Sequence, residues 1–374
     1  MIHVAGTKGK GGTCAFVQSF LRAHGERTGF PHKIGLYTSP HMWSTRERIR
    51  IDSIPISEEL FTKYFFEVWD RVSDHASRNS YRMPGCFQLL MLLSVHTFVR
   101  EGVDAAIYET HSGGEYCTTN ISKPTITGIT TLGLDHTEVL GPLIENIAWQ
   151  KAGIFKPGVP AFSSPQTPAA AEVLQQRAAE KGVPLEFTDV DPALPVKALA
   201  LEPEVQRVNA SLALALTNGF LKVKALNGGG LTSQDITQGI AQHSWPGRFH
   251  RIVDGSRQWF LDIAHNDLSL KIATHWFAKT SLTTQRYPPL YLFYGLEIHV
   301  NITSDNNPPA RVLIFSHQSF RDGAALLNCI KESLQECGVQ MQHVIFAALE
   351  KDGREEVPYA HDEGMAHSLH YNTS

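Results

Sequence analysis

The chain has 374 residues, of which 42% are hydrophobic and 19% charged, and a net charge of -4. That is an ordinary globular composition, and at roughly 100–200 residues per domain it predicts two domains, each able to bury a core. The mild negative charge without any long Lys or Arg run disfavours nucleic-acid binding, and five scattered cysteines without CxxC spacing disfavour a disulfide framework or zinc ribbon. Residues 2–5 read as a buried strand, and 13–24 as a helix with Phe16, Val17, Phe20 and Leu21 on one face and Gly25 as its stop. Further strands are predicted over 34–38, 105–109 and 126–131, with a helix over 143–152 ending at Gly153. A helix over 168–181 is stopped by Gly182, and a Gly-rich turn (Gly228, Gly229, Gly230) and a polar helix follow within 226–244. The turn Trp245-Pro246-Gly247-Arg248 marks a boundary, giving domains of 1–246 and 247–374. Beyond it, strands are predicted over 259–263, 290–293, 312–316 and 343–347 and a helix over 324–336, before a polar, His-rich, loose end.

Strands alternating with helices predict an α/β fold: a P-loop-type, mostly parallel sheet with helices on both faces, plus a smaller C-terminal Rossmann-like domain. No apolar stretch approaches the ~18–20 residues that span a membrane, so no membrane partner is expected. A core strand directly after Met1 leaves no room for a leader, and the thiols fit a reducing compartment; the expectation is a cytoplasmic protein.

Gly6-Thr7-Lys8-Gly9-Lys10-Gly11-Gly12 lies between the first strand and the first helix. In that layout the glycines let backbone N–H groups close on phosphate oxygens, and the helix N-terminus adds a positive dipole. Lys10 would neutralise the β- and γ-phosphates. The plainer alternative is a βα turn with two solvated lysines. The run is half of a Walker A pattern: its first glycine is missing, and Gly11 follows the lysine where Ser or Thr belongs.

Further motifs follow in order: Thr38-Ser39-Pro40-His41, Arg46-Glu47-Arg48-Ile49, Pro84-Gly85-Cys86-Phe87, Glu109 through Asn120, Gly133-Leu134-Asp135-His136-Thr137 and Lys151-Ala152-Gly153-Ile154. Asn209-Ala210-Ser211-Leu212, Trp245-Pro246-Gly247-Arg248 and Asp262-Ile263-Ala264-His265 complete the set. Together with the phosphate loop, this series resembles the folylpolyglutamate synthase family of the Mur ligase superfamily, fungal-type members most, over most of residues 2–330. The resemblance implies a chain divergent and shortened at both ends, with an ATP-binding central domain and an incomplete C-terminal ligase domain.

The resemblance implies that Gly6, Thr7, Lys8, Gly9, Lys10, Gly11, Gly12, Asn209, Arg248, Asp262 and His265 contact ATP. Ser39, Glu109 and His136 would hold Mg²⁺, each expected just past the end of a strand, where open α/β sheets bind ligands. Lys10, His136 and Lys151 would be catalytic, Lys151 in carbamylated form, with a monovalent cation as a further implied cofactor. Taken singly, each has a bland reading: Lys151 as a snorkelling surface lysine, Arg248 as a turn residue in a surface salt bridge. The implied reaction is phosphoryl transfer from ATP to a carboxylate, followed by attack of an amine, with the protein supplying position and charge neutralisation. The implied partners are small molecules, a folate or other carboxylate and glutamate or another amine, bound by a monomer.

The chain departs from the family pattern at several positions. Gly12 stands for serine, Cys86 for tyrosine, Thr110-His111 for Val-Gly, Cys117 for aspartate, Ile263 for glycine and His250 for glutamine. Three readings stay open: a folylpolyglutamate synthase, an amide ligase of the same mechanism on a non-folate carboxylate, and a degenerate nucleotide-binding paralogue. Lys10, Ser39, Glu109, His136 and Lys151 argue against the last; Gly12 and Cys117 argue for it.

Overall fold

The computed structural model describes residues 1–225, 229–254, 257–264, 266–283, 290–294, 311–315 and 322–346. The chain divides into two compact units, Met1–Ser244 and Trp245–Ser374.

The first unit is built on an eight-stranded sheet of order β4-β3-β2-β5-β1-β6-β7-β8. Its strands are β1 (Ile2–Ala5), β2 (Ile34–Tyr37), β3 (Ile49–Ile51), β4 (Ile54–Pro55), β5 (Ala105–Glu109), β6 (Ile126–Ile129), β7 (Ala161–Ser163) and β8 (Leu185–Phe187). Pairings from β2 through β8 are parallel; β3 and β4 fold back as an antiparallel edge. β1, β2 and β6 are buried at every residue, as central parallel strands covered on both faces are.

The helices are α1 (Lys10–Thr28), α2 (Glu58–Asn79), α3 (Cys86–Arg100), α4 (Thr137–Leu140), α5 (Ile144–Lys151), α6 (Pro168–Lys181), α7 (Glu204–Lys224) and α8 (Ser233–Gln242). In β6, a Cβ on Gly128 would touch Leu216 of α7, while Ile129 packs with Ala148 of α5 and Leu174 of α6. The two-residue alternation of the strand thus puts helices on both faces. α1 is longer than expected and is not one-sided: every residue from Gly12 to Leu21 is buried, because α7 and α8 cover the side turned away from the sheet. Helices α2, α3 and α7 are not among the expected elements. Ser57 caps α2 by accepting the Leu60 N–H, and Glu58 and Glu59 sit in its first turn, so a start signal was present. Its aromatic run, Phe61, Tyr64, Phe65, Phe66 and Trp69, favours strands and blurs the helical period.

The second unit has a five-stranded sheet of order β13-β12-β11-β10-β9. β9 (His250–Asp254) and β10 (Arg257–Asp262) form an antiparallel pair, and β10, β11 (Leu290–Tyr294), β12 (Arg311–Phe315) and β13 (His343–Phe346) run parallel. Helices α9 (Asp267–Thr283) and α10 (Gly323–Glu336) pack Leu270, Phe277, Leu326 and Ile330 against Phe260 and Leu313. The chain end, Ser316, Ala347 and Gly228 lie outside the described residues.

Candidate active site

β1, β5 and β6 are adjacent parallel strands, so the loops that leave their C-terminal ends meet along one sheet edge, with the loop after β2 beside them. The phosphate loop follows β1. Gly6 has φ 151 and a Cβ there would lie 1.8 Å from Thr130 Oγ1; Gly9 has φ 85 and a Cβ there would lie 2.2 Å from Asn209 Oδ1. Only glycine fits either place. Gly9 caps α1, whose first turn carries no acidic residue and no side-chain cap, so the positive end of a 19-residue helix faces the loop.

The loop's cations are already engaged. Lys8 Nζ lies 3.1 Å from Asp135 Oδ2, and Lys10 Nζ lies 4.0 Å from Glu109 Oε1. The N–H groups of Thr7 and Lys8 both donate to Thr131 O at 3.1 Å, so neither points at a ligand. Thr7 Oγ1 donates to Gly133 O and accepts the Gly133 N–H. The loop is therefore no turn with two solvated lysines. Gly12 leaves room for the missing serine: a Cβ there would stand 3.5 Å from Gln206 Oε1 and 3.6 Å from Asn209 Nδ2. Thr13, the nearest alternative hydroxyl, is fully buried and without a hydrogen-bond partner. Asn209 is itself buried on α7 and donates from Nδ2 to Gln206 Oε1.

Glu109 is not past its strand but the last residue of β5, and it is 4% exposed. Its Oε2 accepts the backbone N–H of Ser39 at 3.1 Å, which brings two of the three expected metal ligands together. Their oxygens suit a hard divalent cation. His136 is the third; it stands seven residues beyond β6, caps α4 in the left-handed region at φ 51, and is exposed. Among the described residues, no group of three or more His, Cys, Asp or Glu is arranged to hold a metal. Lys151 is no surface lysine: it is 3% exposed and donates from Nζ to Gly6 O at 2.8 Å. Burial above all, and then the Lys10 charge, push its pKa well below the usual lysine value.

The departures of the 109–120 loop knit together. The His111 ring is bonded at Nε2 to Tyr37 OH and at Nδ1 to Thr118 Oγ1, while its backbone N–H donates to Cys117 Sγ at 3.3 Å. Cys117 thus does as an acceptor what a carboxylate would do there. Burial, then Arg48 and Lys10, lower the His111 pKa to about 4. The Phe87 ring covers His111 at 4.8 Å, and the Arg48 guanidinium sits 5.4 Å from the same ring. Glu47 orders the loop after β2 by accepting the N–H groups of Met42, Trp43 and Ser44.

In the second unit, Asp262 ends β10 and is 4% exposed; its carboxylate accepts the N–H groups of Phe249 and Ala264. Arg248 donates from Nη1 to Gly247 O. His265 lies outside the described residues. Asp135 is the residue that sequence reasoning passed over: it stood beside His136 in a quoted motif, and nothing local disclosed its partner 127 positions away.

A Gly-rich strand–loop–helix opening a large, mostly parallel sheet, followed by a small second α/β unit, defines the class: a two-unit α/β fold. No family model matches the chain. It is 43% identical over 360 residues to the folylpolyglutamate synthase of Neurospora crassa, covering 92% of this chain and 64% of that protein. The probable folylpolyglutamate synthase of Schizosaccharomyces pombe is 40% identical (93% and 66%), and the mitochondrial enzyme of Homo sapiens 37% (92% and 58%). In sequence, then, the chain is a relative of the folylpolyglutamate synthases, and it spans about 60% of the length of these relatives. A solved folylpolyglutamate synthase–AMPPCP complex matches with a TM-score of 0.68 at 24% identity, over 93% of this chain and 88% of that one, which shows the fold.

Proposed function

We propose that the chain carries the nucleotide-activating part of an ATP-dependent ligase that adds glutamate to a folate. The relatives' names support the reaction, and the phosphate loop, whose Gly6 and Gly9 leave no room for a side chain, is the observation that carries it. The carboxylate must be activated, because a carboxylate oxygen is too poor a leaving group for an amine to displace. ATP transfers its γ-phosphoryl group to it, and the amine displaces phosphate from the acyl phosphate. The α1 terminus and Lys10 hold the phosphates. Asn209, close against Gly9, would contact ATP, and Ser39 and Glu109, with His136, would hold the divalent cation. That cation, when bound, neutralises charge on the transferring group. Lys151, whose burial favours the uncharged amine, fits carbamylation, in which Nζ bonds the carbon of CO₂ and releases a proton. Arg248, Asp262 and His265 are carried as ATP contacts, and a monovalent cation as a helper, on the sequence resemblance alone. The first unit serves as the ATP-binding domain and the second as the ligase domain, in a cytoplasmic monomer acting on small molecules. Among the described residues no helix is long and apolar enough to cross a membrane.

The test is phosphate release from MgATP with and without a tetrahydrofolate plus glutamate, repeated with Lys10→Ala. Release that needs both substrates and disappears in the variant is the expected result. Nucleotide binding without such release would drop the folate and favour another carboxylate, the reading that the rebuilt His111–Cys117 loop supports. Absence of nucleotide binding would leave the degenerate paralogue.

A further inference from the structure

We propose that Asp135 is a positioning residue of the nucleotide site, and that Lys8 is its anchor, not a phosphate ligand; this rests on the nucleotide reading above. One carboxylate serves two segments. Its Oδ2 takes Lys8 Nζ at 3.1 Å, and its Oδ1 accepts the backbone N–H of His136 at 3.1 Å. The pair is sheltered, with the Asp135 side chain 8% and the Lys8 side chain 23% exposed. A charge-assisted bond of that length, partly out of water, is not a casual surface contact.

The same stretch is fastened to the loop at three further points: the Thr7 and Lys8 N–H groups on Thr131 O, and the two-way bond between Thr7 Oγ1 and Gly133. Residues 131–136 therefore run as a splint along residues 7 and 8, and Lys8–Asp135 closes its far end. His136 stands in the left-handed region at φ 51, a conformation that a non-glycine residue keeps only where its surroundings enforce it. The Asp135 carboxylate takes the N–H of that residue. Through Asp135, the position of the phosphate loop and that of His136 are one geometric fact.

The two roles of Lys8 predict opposite signs. Asp135→Asn keeps an oxygen for the His136 N–H but removes the charge that holds Lys8. Were Lys8 a phosphate ligand, neutralising Asp135 would release it and tighten nucleotide binding. As an anchor, it loses its hold and binding weakens.

MgADP affinity is measured by calorimetry, well below each unfolding transition, for wild type, Lys8→Gln, Asp135→Asn, the double variant and Lys8→Arg. Both single variants are expected to weaken binding about tenfold, the double variant no further than either, because one interaction is removed in each. Lys8→Arg, which can still reach the carboxylate, is expected to stay within about threefold of wild type. Equal or tighter binding by Asp135→Asn overturns the proposal alone. So does a fall in unfolding temperature with affinity unchanged, the mark of a purely structural pair. A wild-type chain that binds no MgADP overturns the nucleotide reading, and this proposal with it.

Discussion

Replacing Glu109 by glutamine should tighten metal-free nucleotide binding. Lys10 Nζ lies 4.0 Å from Glu109 Oε1, and the two side chains are 16% and 5% exposed. At an effective dielectric of about 20, unit charges at that separation attract by about 4 kcal/mol. Withdrawing both from water offsets part of this, leaving about 1.5–3 kcal/mol that an incoming phosphate must displace before it can claim the ammonium. The amide of Glu109→Gln keeps the shape and an oxygen for the Ser39 N–H, but not the charge. Equilibrium titration with ADP in the presence of a chelator should then show an affinity about 10–150-fold above wild type, the equivalent of that energy. Adding Mg²⁺ should strengthen the wild type and do little for the variant, since the carboxylate is the expected ligand. Unchanged or weaker metal-free binding by Glu109→Gln would refute the idea that the carboxylate restrains Lys10.

Gly9→Ala should destabilise the fold by about 2 kcal/mol or more, since its φ is 85 and the new methyl would meet Asn209 Oδ1. Gly12→Ser, in ordinary contact with Gln206 and replacing glycine inside a helix, should instead gain about 0.5 kcal/mol; urea midpoints of the two variants decide both. Lys151 has a lowered folded pKa, so the unfolded chain binds its proton first, and stability should rise with pH up to the ordinary value of 10.5. Lys151→Met should flatten the urea-derived stability profile in that window; parallel wild-type and variant profiles would remove the cause. Burial holds His243 at a pKa of about 3, so its contribution is present above the ordinary 6.5 and is lost as pH falls from there toward 3. At pH 5 the loss comes to about 2 kcal/mol, and His243→Leu should remove that share of the stability change between pH 8 and pH 5.

Much of the fold and part of the site were legible in the residues because they are local. The phosphate loop announces itself by glycines between an apolar strand and a helix, and α6 by a start at Pro168 and a left-handed stop at Gly182. The motif series placed Ser39 and Glu109, which do meet, at one sheet edge. The long helices α2 and α7 escaped. In α2 aromatic residues carry strand propensity, and only burial of Tyr64 and Val68 against Tyr37 and Tyr108 settles its state.

By itself, then, the sequence determined the α/β class and the glycine-rich turn between the first strand and the first helix, and it named the candidates for phosphate and metal, since propensity, turn chemistry and side-chain type act over a few neighbouring positions. Only the tertiary structure decided which charges are spoken for. Lys8 meets Asp135, Lys10 meets Glu109, and Lys151 is buried against Gly6 across 127, 99 and 145 positions, through the order in which the strands pair. The packing of α7 and α8 buries α1 from Gly12 to Leu21 on the side turned away from the sheet. Pairing and burial set whether a lysine is a solvated cation, a restrained one or a buried amine, and neither can be read from the residues beside it.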